Sequence, residues 1–147
     1  MIALSACLAG RACRYDGKAN TVQALKAMVE RGEAVPICPE VLGGLGIPRD
    51  PCERQGCQIC TQSGKDCTAE YRKGAEAALA LIQKHHITLA VLKAKSPSCG
   101  KGLIYDGSFT RTLREGHGLT AELFIRNGVR VFTEDEWQEE KENSQKA

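Results

Sequence analysis

Eight cysteines stand in 147 residues, and three of them, Cys7, Cys38 and Cys99, each follow a short apolar run that reads as a buried strand. In a parallel sheet such strand ends converge on one edge. Three thiolates arriving there from three loops could cap three irons of a cubane iron–sulfur cluster, with neighbouring glycines letting backbone N–H groups approach the sulfides and the fourth iron left open. Each residue taken alone reads better as a buried apolar thiol. Their shared position, beside Gly, Pro or Ser where the chain leaves the core, sets the ligand reading level with that one.

A second group, Cys52, Cys57, Cys60 and Cys67, spells C-x4-C-x2-C-x6-C inside one short stretch. Its first part matches the start of a plant-type ferredoxin signature, but Cys67 comes too early for the distant fourth ligand. The expectations are a tetrahedral zinc site, a second iron–sulfur cluster, or free thiols. Cys57 and Cys60 do not sit between a strand and a helix as a thioredoxin-type dithiol would. Cys13 reads as a buried or loop thiol near Cys7.

Twenty Lys and Arg against eighteen Asp and Glu leave a net charge of +2, too little field to hold a long nucleic acid. No apolar stretch reaches membrane-spanning length, and the opening MIALSACLAG lacks the charged front of a secretion signal. A cytoplasmic protein is expected, and in that reducing compartment the cysteines are poor candidates for a disulfide framework.

The elements that must position the thiols follow from periodicity. Strands are expected at Ile2 to Cys7, Ala34 to Cys38, Thr88 to Lys93 and Val129 to Phe132. Helices are expected at Thr21 to Arg31, about Thr68 to His85, and Leu119 to Asn127. Pro39, Gly43, Gly44, Gly46, Pro48 and Pro51 predict a dozen irregular residues, a functional loop. The expected fold class is α/β, a single-domain three-layer sandwich with a small, mostly parallel, Rossmann-like sheet of about four strands. Its one domain would span residues 1–134, with an irregular cysteine-rich insert at about 48–67, followed by a fraying polar tail at 135–147.

Seven segments follow one another in order: Ser5-Ala6-Cys7-Leu8, Arg14-Tyr15-Asp16-Gly17, Cys38-Pro39-Glu40, Gly43-Gly44-Leu45, Pro48-Arg49, Ser96-Pro97-Ser98-Cys99-Gly100 and Tyr105-Asp106-Gly107-Ser108-Phe109. In these the chain resembles the 2-thiouracil desulfurase family from about Ile2 to Glu134. The resemblance implies an oxygen-sensitive [4Fe-4S] cluster on Cys7, Cys38 and Cys99. Its open iron would take the soft sulfur of a small thiolated base, such as 2-thiouracil, and polarise the adjacent carbon for hydrolysis to uracil and hydrogen sulfide without net redox change.

By the same resemblance Glu40 looks like the catalytic carboxylate and Ser96 like the hydroxyl that orients the substrate. Ser98, Asp16 and Arg49 are implied as substrate contacts. Each has a plainer alternative: Glu40 as a loop carboxylate, Ser96 and Ser98 as shapers of the Pro97 turn, Asp16 and Arg49 as turn and salt-bridge residues. Lys93 and Lys95 could balance an anionic cluster, and His117 reads as a local capping or surface residue. The expected partner is the small thiolated base alone, bound by a monomer or small homo-oligomer. Two rival functions are a zinc-binding regulatory or interaction module on the four insert cysteines and an iron–sulfur redox sensor.

Overall fold

The computed structural model describes residues 1–146. In chain order it forms β1 (Ile2–Ser5), α1 (Gln23–Glu30), β2 (Ala34–Ile37), α2 (Pro39–Leu42), β3 (Cys52–Gln55), β4 (Gln58–Thr61) and α3 (Thr68–Lys84). There follow β5 (Leu89–Leu92), β6 (Leu103–Tyr105), β7 (Leu113–Glu115), α4 (Leu119–Arg126), β8 (Arg130–Thr133) and α5 (Glu134–Lys146).

Four strands make one wholly parallel sheet in the order β2-β1-β5-β8. Side chains alternate across it as period-two strands require. Ala3, Ala90, Leu92 and Val131 face one side, where Ala78 and Ile82 of α3 and Ala121 and Phe124 of α4 cover them. Leu4, Ala34 and Val91 face the other, against Leu25 of α1 and Trp137 of α5. The three-layer α/β class read from the sequence is the class observed. Each fully buried Leu, Ile or Phe contributes about 1.5–3 kcal/mol here, and because the strands are buried on both faces they read as short continuous apolar runs.

Three segments differ from the sequence reading. The cysteine-rich insert is a β3–β4 hairpin, paired Cys52 to Thr61 and Gln55 to Gln58, which leaves Gly56-Cys57 as a two-residue turn with Gly56 at φ 62°. The polar tail is the helix α5. It opens with a reciprocal capping box in which the Glu136 N–H donates to Thr133 Oγ1 at 3.1 Å and the Thr133 N–H to Glu136 Oε1 at 3.0 Å. Trp137 then docks edge-on against Phe132, ring centroids 5.7 Å apart. Finally, the Gly- and Pro-rich stretch after Cys38 begins with the single turn α2, with Pro39 at its first position, where a missing N–H costs nothing.

That turn is fixed by a backbone-to-backbone contact. A Cβ on Gly74 of α3 would collide with the Pro39 carbonyl, and one on Gly43 with the Glu70 carbonyl. A free helical Gly→Ala change would gain about 1 kcal/mol. Gly74→Ala is expected to do the opposite, losing about 1–3 kcal/mol to overpacking, read as a lower denaturation midpoint. A raised midpoint would show that α2 does not press on α3.

Candidate metal centre and catalytic cleft

The chain order around the sheet creates the site. After β1 the chain crosses to β2 on one side, then over to β5 on the other, so the loops leaving β1 and β5 part at a topological switch point, where such sheets leave a crevice. A cleft of about 630 Å³ opens there, and Cys7, Cys38 and Cys99 all line it. Cys7 sits in a 3-10 turn, Ala6–Ala9, closed by Gly10 at φ 95°. Cys38 is the residue before Pro39 and caps α2. Cys99 lies in a turn whose Gly100 could carry no Cβ, since that atom would sit 2.6 Å from the Ser96 carbonyl oxygen.

The three thiols influence one another. Burial pushes Cys7 and Cys99 above the ordinary thiol range, the neighbouring cysteines add to that, and Asn20 beside Cys7 and Ser5 beside Cys99 oppose it. Cys38 moves the other way, down to about 7, chiefly through the Cys13 thiol at its side and then through the Val41 N–H, while Cys13 rises. Arg14, Arg49, Lys93, Lys95 and Arg111 line the cleft with only Glu40 and Glu53 as acidic counterparts, so its walls suit an anionic occupant.

Glu40 faces the same cleft from α2. Its Oε2 receives three hydrogen bonds: Arg49 Nε at 3.1 Å, Arg49 Nη2 at 2.9 Å and the Tyr71 hydroxyl at 3.2 Å. The side chain is thereby oriented through one oxygen. Arg49 is itself held by the carbonyls of Cys13 and Gly46. Ser96 Oγ, also on the cleft, accepts the N–H groups of Ser98 at 3.0 Å and Cys99 at 2.7 Å. With both acceptor positions occupied, its hydroxyl hydrogen is left to donate outward.

Two residues expected at the substrate stand elsewhere. Ser98 is fully buried and hydrogen-bonded to Thr120 Oγ1 at 2.9 Å, so it ties the turn to α4 instead of meeting a ligand. Asp16 is exposed, accepting the Lys18 N–H and pairing with Arg14, and does not line the cleft. His117 accepts the Gly102 N–H through Nδ1 and does not cap α4, whose N-cap Gly118 is joined by no side-chain hydrogen bond.

The four insert cysteines do not converge. Register places Cys60 opposite Glu53 and Cys52 opposite Thr61, which puts Cys52 and Cys60 on opposite faces of the hairpin. Cys52 packs inward with Cys67, Ile59 and Tyr71, burial pushing it up to about 12, whereas Cys57 is exposed at the turn. Among the described residues no group of three or more His, Cys, Asp and Glu could hold a metal ion. Of the expectations for Cys52, Cys57, Cys60 and Cys67, the tetrahedral zinc site is corrected, because hairpin alternation puts Cys52 and Cys60 on opposite faces, and the arrangement is that of free thiols.

Sequence reasoning misses Tyr71, Glu53, Phe109 and Arg111, all on the cleft wall. Tyr71 falls in the first turns of α3 and looks like one more core position, and no local pattern marks it. Phe109 lies within one of the seven matched segments, but nothing in that string assigns it a role.

The donor chemistry fits a cubane cluster better than a single ion. Three thiols from three loops line one cleft without forming a mononuclear site, and a cubane meets each thiolate at a different iron.

Known proteins agree with the fold and the motifs. Residues 2–136 match the family model for 2-thiouracil desulfurase. An uncharacterized protein of Bacillus subtilis (strain 168), YbbK, is 39% identical over 146 residues, covering 92% of this chain and 97% of that one. A solved structure described as the [4Fe-4S]-dependent thiouracil desulfidase TudS superposes with a TM-score of 0.89 at 47% identity, covering 94% of this chain and 93% of the other. With nearly the whole length matched, the chain belongs to the 2-thiouracil desulfurase family.

Proposed function

We propose that this protein is a [4Fe-4S]-dependent desulfurase that hydrolyses a thiolated pyrimidine such as 2-thiouracil to uracil and hydrogen sulfide, without net redox change. The observation that carries the reading is the meeting of three strand-end thiols and one oriented carboxylate in a single cleft at the switch point. Cys7, Cys38 and Cys99 would hold the cluster. When bound, it would supply an iron Lewis acid with affinity for soft thiocarbonyl sulfur.

The remaining work falls to the chain's own groups. Arg49 and Tyr71 occupy Glu40 Oε2, which leaves Oε1 to accept the protons of the attacking water one after the other, the first as its oxygen bonds to carbon and the second as the carbonyl forms, and to pass each to the departing sulfur. Ser96 would donate its hydroxyl hydrogen to an acceptor on the substrate ring, since its lone pairs are already engaged. The atoms balance: water supplies the oxygen that replaces sulfur, and both its hydrogens leave with the sulfide. Arg49 serves as a positioning residue for Glu40 rather than a ring contact.

The test is anaerobic purification followed by iron, zinc and labile-sulfide determination and an assay with 2-thiouracil. Iron and sulfide in equal amounts, with sulfide release on adding substrate, are expected. Zinc without labile sulfide after attempted reconstitution would sink the reading, and a loaded cluster without turnover would favour a redox sensor.

A further inference from the structure

Backbone strain in this chain gathers at the cleft. Among the described residues four non-glycine residues adopt left-handed backbone, His86, Lys95, Phe109 and Arg111, and the last three line the cleft. That conformation is unfavourable for residues bearing a Cβ and persists where surrounding contacts impose it, commonly where a ligand is bound.

At Phe109 the imposing contacts are identifiable. Glu53 Oε1 accepts the N–H of Gly107 at 3.0 Å and the N–H of Phe109 at 3.1 Å. Asp106 Oδ1 takes the Ser108 N–H at 2.9 Å. Gly107, at φ 95°, runs so near β3 that a Cβ would sit 2.9 Å from Gln55 Cβ. The β6–β7 turn is thus fastened to β3 through one carboxylate. Core packing does not explain where this places the ring, because Phe109 belongs to none of the three apolar clusters. It is a half-buried aromatic side chain on the wall of a cleft that also holds Glu40 and Ser96.

We propose that Phe109, held in place by Glu53, stacks on the flat ring of the substrate and makes the enzyme selective for planar heteroaromatic thiones over small non-aromatic thiocarbonyl compounds. The assignment rests on the desulfurase reading and names what its cleft recognises. A stacked aromatic face is tolerant of ring substituents but offers little to a compound without a ring. Base–aromatic stacking of this kind changes binding by about tenfold or more when the ring is removed. Glu53 acts through Phe109 and is a positioning residue.

The experiment compares anaerobic holoenzyme variants on 2-thiouracil and on thiourea, alongside calorimetric titration with uracil, which carries the ring but no sulfur. Phe109→Leu is expected to keep wild-type iron and labile sulfide, to raise KM for 2-thiouracil about tenfold or more, and to leave KM for thiourea unchanged. The Kd for uracil should weaken by the same factor as KM, and Phe109→Tyr should restore both. Glu53→Ala is expected to reproduce the Phe109→Leu pattern, with Glu53→Gln partly rescuing it because the amide oxygen still accepts. Wild-type KM and uracil affinity in Phe109→Leu would overturn the assignment and leave the desulfurase intact. A wild-type holoenzyme that neither binds uracil nor releases sulfide would overturn the desulfurase reading and the assignment together.

Discussion

Cys99→Ala is expected to yield a folded protein that retains no stoichiometric iron or labile sulfide and releases no sulfide from 2-thiouracil. Cys99 is 4% exposed and packs within the core under α4. Removing its sulfur costs on the order of 1 kcal/mol of stability, the value of one small buried apolar group, which a domain of ordinary stability tolerates. The effect on loading is far larger, because one of three thiolates from three separate loops is gone and the remaining two, Cys7 and Cys38, would leave a second iron unprotected. Circular dichroism and a denaturation midpoint close to wild type, combined with absent iron, would mark Cys99 as a ligand. A variant that loads and turns over normally would remove it from the ligand set. The same comparison with Cys13→Ala separates ligand from neighbour: Cys13 also lines the cleft, yet its loss should leave iron content near wild type.

Glu40→Gln should load its cluster as wild type does while kcat falls roughly 10²–10⁴-fold, the range expected when a positioned acid–base group is lost. Glutamine is the informative replacement. Its amide oxygen can still accept from Arg49 and Tyr71, so the geometry around α2 survives, but the proton-carrying function does not. Alanine would confound the result by leaving Arg49, whose side chain is 9% exposed, with neither carboxylate nor amide oxygen as an acceptor at that position. Leaving one partner of a buried pair uncompensated costs about 3–5 kcal/mol. Iron and sulfide analysis beside steady-state rates decides the matter. Undiminished kcat in Glu40→Gln would make Glu40 a structural anchor for Arg49, and the proton acceptor would have to be sought elsewhere on the cleft.

Much of this architecture is legible in a single sequence, and the reasons are local. The strands leading to Cys7, Cys38 and Cys99 are short apolar runs ended by a turn residue or proline, and α3 declares itself by its apolar stripe and strong helix formers. The start of α5 is legible in the same way, since Thr133-Glu134-Asp135-Glu136 carries the capping-box signature. The strongly polar composition of residues 137–146 hides the helix behind that signature, because only Trp137 offers a large apolar side chain to bury. Likewise Gly56-Cys57 between Arg54-Gln55 and Gln58-Ile59 is a hairpin turn that the crowding of cysteines obscures.

The cleft itself divides along a different line. Cys7, Cys38, Cys99, Glu40, Ser96 and Arg49 all line one cleft, whereas Ser98 lies two residues from Ser96 and faces Thr120 in the interior. Nothing in the string Ser96-Pro97-Ser98 distinguishes the two hydroxyls. Tyr71 and Glu53 reach the site across 31 residues to Glu40 and 56 to Phe109 respectively, separations at which periodicity carries no information.

The family, the parallel α/β sheet and the three cysteine-bearing strand ends are all written locally, because contiguous motifs and residue periodicity encode backbone conformation and the face each element buries. Long-range packing turns Ser98 into the interior and brings Tyr71, Glu53 and Phe109 to the cleft wall, whereas Asp16 is held by its near neighbours Arg14 and Lys18 and the insert cysteines are parted by the register of a local hairpin. The long-range outcomes depend on strand register and on close approaches such as Gly43 against Gly74, where contacts distant in the chain set which way each side chain points.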